Sequence, residues 1–286
     1  YGLAFYPLKT FAPVGLSPIY ELPEEISFRA ASFASSALAV VVVLGASIAL
    51  RKRSPAPLVA LSSFALLVAP LLGFAQVGPQ LVADRYSYVP CIPLALLAAG
   101  ALFIGTQGVI ARVAPSIALI CVASLGALTY RRTQVWRDSA TLWGSVIAVH
   151  PDSYIANAGL GDDLKTRAFA ERDNVRRAQT MTEAAACFER ALHARAEPKF
   201  CSNLSVIFQE LARLDAERAS EHATRALDYA RRAVELAQAR GSDATEHLLA
   251  LGSALLAQGA YAEALATLER YTRERPEHAL GWANLG

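Results

Sequence analysis

Two long stretches without charge limit what this chain can fold into. Ser54–Ala83 runs thirty residues and Tyr86–Ala111 twenty-six, and between them stand only Asp84 and Arg85. A bilayer core about 30 Å thick is crossed by about 20 apolar residues in a helix. The pattern predicts a transmembrane helical bundle of about four spans: 28–50 with its VVVV centre, 56–76, 90–111 and 113–130. Pro70 and Gly73 fall inside the second, where a membrane helix tolerates them.

The rest of the chain has a different composition. Residues 30–130 hold six charged side chains, whereas residues 131–286 hold 41, 20 basic and 21 acidic. The second figure is that of an ordinary soluble domain, so two units are expected to meet near Tyr130. A net charge of +2 and the lack of a basic patch interleaved with aromatics speak against a nucleic-acid partner. The chain begins at Tyr1, has Met181 as its single methionine and stops within a repeating pattern, so an internal piece of a longer protein is expected.

Arg51-Lys52-Arg53 makes a tight basic turn that the positive-inside rule puts in the cytoplasm. Arg29, Arg85, Arg131 and Arg132 would then lie opposite; the RKR turn carries more weight because it sits in the shortest loop. With four spans, residues 1–27, the VADRYSYVP loop and everything after Tyr130 share the external side. Residues 1–27 are expected to form an interfacial loop, since the four prolines of Tyr6–Pro23 prevent one continuous helix. Glu24 and Glu25 suit the start of the first span, where acids complement the helix dipole.

The soluble half carries a 34-residue period. Leu248 to Trp282, Leu251 to Leu285 and Gly252 to Gly286 are each 34 apart, with Ala264, Leu268, Tyr271 and Pro276 between. This spacing marks tetratricopeptide repeats, two antiparallel helices per unit. Upstream, Asn157, Leu160, Gly161 and Leu164 fit a first helix and Ala184, Phe188 and Ala191 a second, with about 11 extra residues between them. A third pair over 198–239 fits less closely. The fold class expected is all-α, a membrane bundle followed by a tetratricopeptide-repeat α-solenoid. Gly161, Ala184, Phe188, Leu248, Gly252, Ala264 and Trp282 would pack the repeats.

Few residues point to chemistry. Asp84 and Arg85 are either an interfacial ion pair among tyrosines at headgroup level or site residues, since ionisable groups near membrane depth are costly and tend to have a task. In the second reading Arg85 binds a lipid-linked phosphate through its forked donors. Lys9 belongs to an interfacial loop or to a wall of the same site, near an anionic group. Asp162 and Asp163 fall on a solvated helix face. The five histidines have no partner at ligand spacing, so no metal site is expected. Cys91, Cys121, Cys187 and Cys201 read as small packed side chains, with a Cys187–Cys201 disulfide open in an oxidising compartment. Charges clustered at span ends rather than midway speak against a transporter.

Three motifs in this order carry a resemblance. They are Lys9, Pro13, Leu16, Ser17, Pro18 and Tyr20 before a span, ADRYSYVP between later spans, and Trp136 to Trp143 (WRDSATLW) leading into the repeats. Over nearly its whole length the chain resembles the C-terminal half of multi-spanning membrane proteins with tetratricopeptide repeats, the bacterial relatives of the TMTC-type protein O-mannosyltransferases. The resemblance implies a glycosyltransferase of the GT-C class that takes a sugar from a polyprenyl-phosphate donor at the external face. It implies an inner-membrane protein with periplasmic repeats, whose partners are the bilayer and an acceptor polypeptide or partner protein. The family's catalytic acids belong to a first external loop that no position here matches, so no catalytic residue is assigned and no cofactor is expected within this piece. Arg85 and Lys9 would face the donor phosphate with Asp84 as their partner. A membrane-anchored repeat scaffold without catalysis is the competing expectation.

Overall fold

The computed structural model describes residues 1–23, 31–72, 80–104 and 109–285. Those residues are overwhelmingly α-helical, with one two-stranded ribbon. The chain divides into two compact units, Tyr1–Val135 and Trp136–Gly286.

The first unit opens with α1, Gly2–Phe11. The expected loop is therefore partly helix. Pro7 gives up one internal hydrogen bond without ending it. The helix stops at Ala12, whose φ of −129° and ψ of 81° are non-helical, because the following Pro13 disfavours the α conformation there. Strand β1, Tyr20–Glu21, pairs antiparallel with β2, Gln80–Val82, with Tyr20 opposite Val82 and Glu21 opposite Gln80.

Among the described residues, two helices are long and apolar enough to cross a membrane. The first is α2, Ala31–Leu50, 20 residues or roughly 30 Å at the usual rise. The other is α5, Val109–Thr133, 25 residues. Both turn apolar side chains outward all round: Leu38, Val41, Val42 and Leu44 on α2, and Ile117, Leu119, Ile120 and Val122 on α5 are exposed. A water-soluble surface rarely carries apolar patches of that extent.

Of the other two expected spans, the described residues hold shorter helices. Helix α3 is Ala56–Val68 and α4 is Ile92–Ile104, 13 residues each. A 3-10 turn, Ala69–Leu71, continues α3 through Pro70, which has no N–H to extend an α-helix. Helix α5 starts at Val109 instead of 113, with Arg112 inside its first turn. The expected ends of spans at 28–30, 73–76 and 105–108, and the helix-start role of Glu24 and Glu25, lie outside the described residues.

The second unit is a series of helical hairpins. Helix α6, Ser139–Ile147, starts at Asp138, whose carboxylate accepts from the Thr141 N–H. Then come α7 (Tyr154–Ala170) with α8 (Asn174–Ala194), α9 (Pro198–Leu214) with α10 (Ala219–Ala239), α11 (Thr245–Ala257) with α12 (Tyr261–Glu274), and α13, Ala279–Leu285. The extra residues between Leu164 and Ala184 do not form a loop. Helices α7 and α8 have 17 and 21 residues against 13 and 14 in α11 and α12, so the insertion lengthens both arms of the hairpin. Helices α9 and α10 have the same 17 and 21.

Small residues admit large ones across each hairpin. A Cβ on Gly161 would lie 2.9 Å from the Phe188 ring, and one on Gly252 would lie 2.5 Å from Leu268. Gly161, Ala184, Phe188, Leu248, Gly252 and Ala264 are all buried. Trp282 differs from expectation: it is 51 % exposed, held by its Nε1–H donating to the Pro276 carbonyl at 2.9 Å.

Candidate functional site

The polar site of the first unit is assembled by the β1–β2 ribbon. Pairing Tyr20 with Val82 draws the Pro13–Tyr20 segment, some sixty residues away in sequence, against the loop that carries Asp84. Ala83 is extended, and Asp84–Ser87 forms a 3-10 turn closed by the Ser87 hydroxyl donating to the Asp84 carbonyl at 2.7 Å. Helix α1 supplies Tyr6 and Lys9, and the C-terminal end of α5 supplies Arg132.

Asp84 and Arg85, adjacent in sequence, form no ion pair. Arg85 is exposed; it donates to Gln80 Oε1 at 3.3 Å and lies 5.0 Å from the Tyr86 ring centroid. Gln80 in turn donates to the Tyr86 hydroxyl at 2.9 Å. The cations acting most strongly on Asp84 are Lys9 and Arg132, and the Tyr20 phenol and Ser17 N–H also face it. Burial pushes the Asp84 carboxyl above its ordinary pKa, prevailing over those four stabilising neighbours. Burial likewise raises the Tyr20 phenol, with the Asp84 charge adding to it.

Two polar atoms here have no hydrogen-bond partner. They are Asp84 Oδ1 and the hydroxyl of Tyr6, a side chain 0 % exposed. An unmet buried polar group costs roughly 1–3 kcal/mol, so such atoms mark a place where something else fits. Burial pushes the Tyr6 phenol up in pKa against the facing Ala83 N–H, with smaller upward contributions from Tyr86 and Asp84, which places it in the same cluster.

Helix α1 separates this cluster from an apolar groove of ≈ 520 Å³. Leu3, Pro7 and Leu8 line the groove from α1, Val40 and Leu44 from α2, and Phe64 from α3. One helix thus has a hydrocarbon face and a face bearing Tyr6 and Lys9.

Of the residues singled out in the sequence, the fold brings Lys9 and Asp84 together and turns Arg85 away. Arg132 carries no signal of a site role in the sequence, since nothing near Arg131-Arg132 in the chain distinguishes it from any basic pair at a span end. Ser17 and Tyr20 were visible as parts of a motif, but without a role.

In the second unit charged side chains pair within and between helices, as where the buried Glu210 meets Arg177 at 2.7 Å. Asp162 and Asp163 pair within their own helix, with Lys165 at 2.8 Å and Arg167 at 2.9 Å. His247 Nδ1 meets the Ser202 hydroxyl at 2.8 Å, and His222 is buried against the Phe208 ring. Cys187 and Cys201 are both buried and free, so the disulfide considered above is not formed. Among the described residues no group of His, Cys, Asp and Glu could hold a metal ion. No family profile, curated protein or solved structure matches the chain.

Proposed function

We propose that the chain is the C-terminal part of a membrane glycosyltransferase that uses a polyprenyl-phosphate sugar donor for protein O-glycosylation. The observation that carries this reading is the convergence of Lys9, Arg132 and a half-buried Asp84 beside apolar helices and a hydrocarbon groove. Two cations suit a departing lipid phosphate, whose charge develops as the sugar leaves. The groove suits an isoprenoid chain, and the unmet Asp84 Oδ1 and Tyr6 hydroxyl suit a hydroxylated ligand. In this reading Arg132 takes the phosphate role first given to Arg85. The helical hairpins, the last of which begins 34 residues before α13 as in tetratricopeptide repeats, hold the acceptor polypeptide or a partner protein on the periplasmic side of the inner membrane. The acid that orients the acceptor hydroxyl belongs to the family's first external loop.

The test is donor binding. In nanodiscs, polyprenyl-phosphate mannose should bind the wild-type chain and bind Lys9→Ala/Arg132→Ala at least tenfold more weakly, with Arg85→Ala close to wild type. Equal affinity of the double variant removes the reading. A scaffold is the second reading, favoured by the share of the chain given to hairpins; it holds if deleting residues 1–130 and supplying another membrane anchor leaves function intact.

A further inference from the structure

Three successive carbonyls of one loop are held by three side chains from separate places. Lys9 donates to the Val14 carbonyl and, at 3.2 Å, to that of Gly15. The Tyr20 hydroxyl donates to the Gly15 carbonyl at 3.4 Å and accepts from the Ser17 N–H at 2.9 Å. Arg132 donates to the Leu16 carbonyl at 2.5 Å. Gly15 makes the bend at φ +59°, a conformation that side chains resist.

This arrangement leaves charge unmatched. Two cations stand on neutral carbonyls, while the carboxylate beside them keeps Oδ1 without a partner. Ionised, Lys9, Arg132 and Asp84 sum to +1. Hydrogen bonds to a charged acceptor are about twice as strong as those to a neutral one. An anion with several oxygens therefore displaces backbone carbonyls from such donors.

We propose that Val14–Ser17 is a strap opened by a phosphate group: the anion takes Lys9 and Arg132, the three carbonyls are released, and the Asp84 side of the site is uncovered. The ligand class rests on the transferase reading; the strap itself rests on the hydrogen bonds. Free phosphate and a lipid phosphate headgroup share the required chemistry, and the experiment separates them.

The measurement is amide hydrogen exchange of the peptide over residues 12–20 in the full chain, in neutral phosphatidylcholine nanodiscs. Inorganic phosphate is added in one arm and undecaprenyl phosphate is included in the bilayer in the other. Exchange at Val14 and Ser17, the strap residues whose own N–H groups are hydrogen-bonded, to the Ala12 carbonyl and the Tyr20 hydroxyl, should rise about tenfold or more in at least one arm. A rise with inorganic phosphate supports a strap that free phosphate operates, and a rise with the lipid alone supports a headgroup-operated one. No rise in either arm overturns the proposal. Arg132→Gln should exchange quickly without ligand and gain nothing from it; protection equal to wild type also overturns the proposal. Should that variant lose protection throughout α1 and α2, Lys9→Gln poses the same question from the other cation. Sugar transfer is not read here. A responsive strap in a chain that binds no sugar donor leaves the strap standing and removes the transferase reading, and donor binding with an unresponsive loop does the reverse.

Discussion

Replacing Gly161 with alanine should have opposite effects depending on whether Phe188 is present. In the wild type, the new Cβ would lie 2.9 Å from two ring atoms of Phe188, and the ring is 0 % exposed and packed near Phe200 at 6.4 Å. Forcing one methyl into such a core costs about 1–3 kcal/mol. The change also relieves a helix-interior glycine of α7, which contributes about 1 kcal/mol in the other direction. The net expectation is destabilisation of up to about 2 kcal/mol. Phe188→Ala alone should cost about 3–5 kcal/mol through lost burial and the cavity left behind. In that background the clash is gone, so Gly161→Ala should stabilise by about 1 kcal/mol. The coupling between the two sites is then about 1–3 kcal/mol. The assay is urea unfolding followed by tryptophan fluorescence. Trp136, Trp143 and Trp282 are the chain's three tryptophans and all lie in the second unit, so the signal reports that unit even with the first in detergent. If Gly161→Ala shifts stability by the same amount and sign in both backgrounds, the packing argument for the hairpin fails.

Ser153 caps α7 by accepting from the Ala156 N–H at 3.1 Å, so Ser153→Ala should lower stability by about 1 kcal/mol in the same assay. Burial holds His247 below the ordinary histidine pKa, so its neutral form is favoured in the fold. Its contribution is complete above the unfolded value and is lost as pH falls through the folded one. The fluorescence-detected midpoint should therefore drop on acidification through the histidine range, and His247→Gln should flatten that drop. Asp84 behaves in the opposite sense. Its carboxyl is raised, so its contribution is complete below the unfolded pKa and lost as pH rises through the folded one. Asp84→Asn should then make the first unit more heat-resistant at neutral pH, as read by thermal aggregation in detergent; a lower or unchanged transition would show that burial does not dominate at this carboxyl.

Local rules account for much of the architecture. Uncharged runs and the 3.6-residue period dictate helices, because a helix satisfies its own backbone and needs only a face to bury. The pairings of Gly161 with Phe188 and of Gly252 with Leu268 follow from the same spacing, since each small residue and its large partner recur at matched places in a hairpin. Helix lengths were less legible. Pro70 ended the α-helical part of α3 at Val68, and the surplus between Leu164 and Ala184 became helix because Asp173 caps α8 and Ser153 caps α7.

The sequence by itself determined that this chain has an apolar helical half and a charged helical half, because hydrophobicity and period are properties of neighbouring residues. Only the tertiary structure decided which charges meet. Asp84 sits next to Arg85 in the chain yet feels the charges of Lys9 and Arg132 most strongly, since a two-residue ribbon sets Tyr20 against Val82 and the end of α5 brings Arg132 to the Leu16 carbonyl, 116 positions away. Electrostatic partners are fixed by distance in space, and distance along a folded chain does not encode it.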